Sequence, residues 1–332
     1  MKILYITKSK PDYLQDIVYT GLVKVLGIDN IIEYPWNIRY HINFRDYPKN
    51  MGQMNGTFFR SIQNCIKPKH YDIVIVASSR LETLQHYWQI IKNIPVTTKT
   101  VFLDGSDMPE VAGDLYLEKD KDAINLYKKI LAFREFDFIF KRECIINKIY
   151  AKNVYPLTFG FNLNHLPPTP IYSEYKYDVA FWAVESHPIR TKALSILDDK
   201  FDCKKNGTTR NQVMAKYKRK GQFYLKELSA CKIGLNFRGA GWDTLRYWET
   251  AALGAFMISQ KPEIQIEDNF THGKNIIYCQ NDLSDLVDLC AYYLKNENKR
   301  IEIAKNSKQH LMSYHTDINR AKTILTKVTN IS

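Results

Sequence analysis

Between Ile233 and Ser259 the chain reads Ile-Gly-Leu-Asn-Phe-Arg-Gly-Ala-Gly-Trp-Asp-Thr-Leu-Arg-Tyr-Trp-Glu-Thr-Ala-Ala-Leu-Gly-Ala-Phe-Met-Ile-Ser: a strand, a glycine loop, a helix and a second strand. Gly239 and Gly241 allow the backbone to approach a diphosphate. The free N–H groups of a helix beginning near Asp243 or Thr244 favour its negative charge. Arg238 and Arg246 carry planar forks that match phosphate oxygens. Glu249 follows Arg246 by three residues, on nearly the same helix face, where a carboxylate can accept both hydroxyls of a ribose. An anion followed by a sugar diol is the pattern of a nucleotide. The same spacing also suits an ion pair between Arg246 and Glu249 within the helix, with glycines that serve only the turn. No Walker loop is present, and the G-x-G-x-x-G fingerprint is not completed after Gly241.

Other residues offer chemistry more sparsely. Asp104 and Asp107 follow an apolar strand, Lys99 to Leu103. A carboxylate there can deprotonate an acceptor hydroxyl, with Asp104 the first candidate, or can simply cap the loop. His187, followed by Pro188, begins a helix at a place where sugar or phosphate is met, although a lone histidine is more often structural. His41 lies in a long polar and aromatic stretch between Pro35 and Phe59, where an acceptor can bind or the ring can serve the surface. One histidine without partners makes no zinc site. Trp36, Trp182 and Trp242 suit stacking on sugar or base as well as core packing.

Short apolar runs alternate with helix-period segments: Lys2 to Thr7, Asn30 to Tyr34, Tyr71 to Ser78, Lys99 to Asp104 and Phe136 to Phe140. Continuous runs such as Ile73 to Ala77 predict parallel strands covered on both faces. Residues 155–161 and the pair Pro167-Pro168 read as a linker, after which the series restarts. Strands are predicted over Tyr177 to Val184, Lys232 to Phe237, Phe256 to Ser259 and Asn275 to Cys279. Helices are predicted over 188–198 and Asp243 to Leu253, and from Asp282 onward.

The 332 residues suffice for two domains with cores of their own. The net charge of +12 favours an anionic partner. Residues 200–226 hold nine basic residues, among them Lys216, Lys218 and Arg219, against one acidic residue. That run is a solvated helix face or a contact for polyanion or membrane. Six scattered cysteines, never as C-x-x-C, fit buried thiols in a reducing cytosol. No run reaches the length that spans a bilayer, so a cytoplasmic protein is expected, soluble or peripheral to a membrane, or in the host cytoplasm if viral.

Arg246 to Ser259 resembles the E-x-x-A-x-G-x-x-x-I signature of glycosyltransferases with the GT-B fold. The resemblance widens through Asp104-Gly-Ser-Asp107, Tyr155 to Gly160, Tyr177 to Trp182 with Arg190, Tyr224 to Asn236, and His315 with Arg320. These occur in the order seen in glycosyltransferases like spore maturation protein CgeB, over about residues 99–325. It implies an α/β, GT-B architecture of two Rossmann-like, doubly wound domains facing a central cleft. The acceptor domain would span 1–158 and the nucleotide-sugar domain 173–314, with the helical segment 315–332 crossing back. On this resemblance Glu249 holds the donor ribose, and Arg238, with Arg190, meets the diphosphate. The backbone from Gly239 through Gly241 and Asp243 to Thr244 cradles the phosphates. Many relatives carry a second glutamate eight residues before Glu249, where this chain has Gly241. Catalysis in the family needs no bound metal and no cofactor beyond the nucleoside diphosphate-sugar donor. Acceptors include surface glycan, protein and modified bases in DNA. A catalytically inert relative that binds nucleotide, glycan or DNA is the other function compatible with these residues.

Overall fold

The computed structural model describes residues 1–42, 47–66, 70–166, 175–183, 185–202 and 222–329. Lys216, Lys218 and Arg219, most of the basic run around them, and Pro167-Pro168 lie outside the described residues. The chain forms two compact units.

The first unit takes in residues 1–44, 48–162 and 317–332. Its strands are β1 (Ile3–Ile6), β2 (Ile31–Tyr34), β3 (Ile73–Val76), β4 (Lys99–Asp104), β5 (Phe138–Lys141) and β6 (Val154–Pro156), all parallel, in the order β2-β1-β3-β4-β5-β6. Apolar runs such as Ile-Val-Ile-Val in β3 are wholly buried, as double-faced coverage demands. One face packs Leu4, Val74, Val76 and Phe102 against Leu84, Tyr87, Tyr127 and Ile130. Elsewhere in the unit α1 (Tyr13–Leu26) and α11 (Asp317–Thr329) pack together. A Cβ on Gly21 of α1 would stand 2.0 Å from the Asp317 carbonyl oxygen, so only glycine allows this approach. Arg320 of α11 donates from Nε to the Thr158 carbonyl (2.8 Å) and from Nη2 to its hydroxyl (3.1 Å).

Strand β6 occupies residues read from sequence as the start of a linker. It is an edge strand ending in Pro156, and an edge tolerates proline because its outer N–H groups have no partner strand to serve.

A buried polar network surrounds Asp16 of α1. The Asp16 carboxylate accepts from the Tyr40 hydroxyl (3.1 Å) and from Arg39 Nη2 (3.2 Å). Burial, against the opposing charge of Arg39, pushes Asp16 up to about 7. The folded state therefore holds this proton more tightly than the unfolded chain does. The contribution of Asp16 to stability is largest below the ordinary aspartate pKa and is lost as pH rises towards 7. Asp16→Asn is expected to flatten that slope between pH 4 and pH 7, as measured by urea midpoints across the range.

The second unit takes in residues 45–47 and 163–316. Strands β7 (Tyr177–Ala180), β8 (Cys231–Asn236), β9 (Phe256–Gln260) and β10 (Ile277–Cys279) pair in parallel in the order β10-β9-β8-β7. Val179, Phe181, Ile233, Leu235 and Ile258 pack with Leu194 and Leu197 of α6 (Pro188–Leu197) and with Leu286 and Cys290 of α9 (Leu286–Lys295). The helix α8 (Leu245–Ala252) packs close to β8, because Gly234 leaves 3.1 Å between its Cβ position and the Thr250 methyl group. α7 (Gln222–Ser229) and α10 (Glu297–Tyr314) flank α8. His315, at the end of α10, is fully buried, meets the Asp268 carbonyl through Nε2 (2.8 Å) and packs on Trp248. Cys144, Cys231, Cys279 and Cys290 are buried free thiols. Among the described residues no helix is long and apolar enough to cross a membrane.

Candidate active site

The predicted strand, loop and helix are β8, residues 237–244, and α8, and they bring most of the nucleotide-binding candidates together in the second unit. Thr244 is the N-cap of α8, with extended backbone, but its hydroxyl donates to Asn236 Oδ1 (2.7 Å). The first N–H groups of the helix consequently have no side-chain cap, and their partial positive charge is left for an anion. Asp243 does not face such an anion bare: its Oδ1 accepts from the Trp248 indole (2.8 Å) and fastens the loop to the helix.

Arg238 lies 4.3 Å above the Trp242 ring. Its Nη2 donates to the Ala240 carbonyl (3.3 Å), whereas Nε is buried without a partner. Arg246 is 7% exposed. Its Nη2 donates to the Trp182 carbonyl, and Nε and Nη1 are buried without partners. Buried guanidinium donors left unmade are costly in a finished protein interior. Arg246 therefore does not form the intrahelical ion pair with Glu249 that the spacing also allowed.

Glu249 is 3% exposed. Oε2 accepts from the Tyr224 hydroxyl of α7 (2.8 Å), and Oε1 accepts from the Tyr47 hydroxyl. Burial pushes its carboxyl up, and the two hydroxyls and the Arg246 charge oppose that. The site thus joins unsatisfied cationic donors, an uncapped helix end and a carboxylate that takes two hydroxyls.

Arg190, for which the resemblance implies a diphosphate contact, holds the loop in place. Its Nε donates to the Arg238 carbonyl (2.8 Å), Nη2 to the Phe237 carbonyl (3.1 Å) and Nη1 to Ser186 Oγ (3.1 Å), so the guanidinium pins the loop. Gly239 faces it. A Cβ there would stand 3.0 Å from Arg190 Nη2 and 3.2 Å from Ser186 Oγ, while the Gly239 N–H donates to the Gly241 carbonyl (2.9 Å). Gly239→Ala is expected to cost about 1–2 kcal/mol and to weaken anion binding, because Arg190 must give up a carbonyl to make room. Urea denaturation and a pyrophosphate titration measure the two effects.

His187 is the N-cap of α6, and its Nδ1 accepts the Ile189 N–H (3.2 Å). Partial burial, with the charges of Arg238 and Arg190, holds it below the ordinary imidazole pKa. With Nδ1 accepting, the neutral ring carries its proton on Nε2, a donor beside Arg238.

In the first unit the structure corrects two candidates. Asp104 is fully buried. Oδ1 accepts from the Ser106 N–H (3.1 Å), and Oδ2 from the Ala112 N–H (2.8 Å) and Lys141 Nζ (3.0 Å). These bonds fasten the loop after β4, the alternative left open by the sequence, and they turn the carboxylate away from an acceptor's proton. Asp107 pairs with Arg142 and keeps 43% of its side chain exposed. His41 is buried, with Nε2 against the Glu33 carboxylate (2.9 Å), Nδ1 against Thr57 Oγ1 (2.8 Å) and its ring stacked on Trp36, so it presents nothing to an acceptor. Trp182 is likewise buried in the core. Among the described residues no group of three or more His, Cys, Asp or Glu side chains is placed to hold a metal ion.

Tyr224 and Tyr47 were not legible as site residues. Nothing in their local sequence marks a partner at Glu249, 25 and 202 residues away.

Comparison with known proteins bears on the fold. Residues 195–326 match the family model described as glycosyl transferase-like. No curated protein sequence matches the chain. The solved structure of Anabaena HepE in complex with UDP-glucose is similar over 100% of both chains, with a TM-score of 0.58 and 13% identity. The structure of an alpha-glucosyltransferase in complex with UDP is similar over 98% of both chains, with a TM-score of 0.60 and 10% identity. The chain has the GT-B fold. Sucrose-phosphate synthase from Thermosynechococcus elongatus shares it, with a TM-score of 0.58 and 9% identity over 99% of each chain. In this GT-B chain the matched family region contains β8, the glycine loop and α8.

Proposed function

We propose that the protein is a glycosyltransferase that moves a sugar from a nucleoside diphosphate donor to an acceptor hydroxyl. The observation that carries this reading is the pair of buried Arg246 donors without partners beside the uncapped start of α8, one turn before a carboxylate that accepts two hydroxyls. Diphosphate supplies the acceptors that the Arg246 donors lack, and a ribose hydroxyl takes on Glu249 the place that a phenol holds in the free protein. In the transferase step the bond from the anomeric carbon to the diphosphate breaks and the bond to the acceptor oxygen forms. Arg246, Arg238 and the α8 N–H groups stabilise the charge that gathers on the leaving diphosphate. The His187 Nε2–H suits a neutral donor to a phosphate or sugar oxygen.

Uridine diphosphate is the favoured leaving group, since the similar structures hold UDP or UDP-glucose. The CgeB-like resemblance belongs to the same reading. The net charge of +12 favours an anionic acceptor, and one similar alpha-glucosyltransferase was solved with DNA. Thermal shifts with the common nucleoside diphosphates and their glucose conjugates test the donor: stabilisation that grows with UDP concentration supports it, and none with any nucleotide refutes it. Hydrolysis or transfer of UDP-glucose separates an enzyme from an inert binder. Oligonucleotide affinity that falls steeply with salt assigns the acceptor to DNA, and affinity indifferent to salt removes it.

A further inference from the structure

Glu249 cannot receive a ribose as it stands. Its carboxylate is 3% exposed, and each oxygen already accepts one hydroxyl, Oε1 from Tyr47 and Oε2 from Tyr224. One hydroxyl on each oxygen is also what a vicinal diol supplies, so the two phenols reproduce the hydrogen bonding of a bound ribose. They come from different parts of the chain. Tyr224 sits on α7, packed against α8 and β8. Tyr47 sits in a turn, 9% exposed, its ring edge-on to His165 (4.9 Å) and nearly parallel to Tyr224 (6.4 Å, 17°).

We propose that Tyr47 holds the place of a ribose hydroxyl on Glu249 and must leave it before a nucleoside diphosphate binds, so that this phenol sets the affinity for donor. The proposal rests on Glu249 being the ribose ligand. Apparent affinity is the intrinsic affinity reduced by the fraction of molecules whose site is open. Removing the phenol oxygen leaves Oε1 without its donor in the closed arrangement only, which shifts the population towards the open one.

The experiment is a calorimetric titration of UDP and of inorganic pyrophosphate into the wild-type chain, Tyr47→Phe and Glu249→Gln. Tyr47→Phe is expected to tighten UDP about 10-fold, the lower end of what a hydroxyl-to-carboxylate bond is worth. Pyrophosphate has no ribose and is expected to bind both chains equally. Unchanged or weaker UDP binding by Tyr47→Phe overturns the proposal, because the phenol is then a bystander or a contact of the bound donor. Equal tightening of pyrophosphate also overturns it, since the effect is then not at the ribose. Wild-type affinity for UDP in Glu249→Gln overturns instead the assignment of Glu249. Should Tyr47→Phe fold poorly by urea denaturation, Tyr47→Leu carries the same comparison.

Discussion

Glu249→Gln is expected to lower UDP affinity about 10- to 100-fold without destabilising the free protein. The carboxylate is the acceptor for two hydroxyls, and bonds to a charged acceptor are worth roughly 1.5–3 kcal/mol each, about half of which a neutral amide forfeits. At about 1.4 kcal/mol per factor of ten, two such losses reach the stated fold-change. Stability moves the other way. Burial raises the Glu249 pKa, so the folded state binds its proton more tightly than the unfolded chain. The cost of ionisation grows as pH rises above the ordinary glutamate value. Glutamine removes that cost, and its carbonyl and amide still satisfy the two phenols. Calorimetric titration and denaturation at pH 8 measure the two halves of the expectation. A variant that loses binding without losing stability identifies a residue kept for ligand and not for the fold.

Lys141→Met is expected to destabilise the first unit by about 3–5 kcal/mol, because it leaves the fully buried Asp104 carboxylate without its cation. Lys141 also donates to the Met108 carbonyl (2.8 Å), so the same change frees the loop after β4. Adding Asp104→Asn is expected to recover part of the loss, since an amide tolerates burial where an unpaired carboxylate does not. A double-mutant cycle in urea gives the coupling, and a pair that proves additive would show that the two side chains do not act together.

How much of this was legible beforehand follows from the range of each interaction. Strands β4, β8 and β9 and helices α6 and α8 follow within about two residues from apolar runs and from caps such as His187-Pro188, all of them local signals. Edge strand β6 was hidden because proline and glycine around it carry the signature of a linker. Arg190 enters through the resemblance as a diphosphate contact, and its donors go to carbonyls 47 and 48 residues away. Asp104 reads in sequence as a candidate base or a loop cap, yet its cation arrives from the end of β5, 37 residues on.

The sequence by itself determined two parallel α/β units and the nucleotide-like order of arginine, glycine loop and carboxylate, because periodicity and helix spacing are properties of neighbouring residues. Only the tertiary structure decided which charged groups are spent and which are left over. Arg190, Asp104 and His41 are consumed by partners far along the chain, whereas Arg246 and Arg238 keep donors that nothing in the described protein satisfies. The physical reason is that a buried polar group is defined by what desolvates and pairs it, and those partners are chosen by packing and not by spacing. The same holds for Tyr47, whose place on Glu249 exists only once residues 202 apart have met.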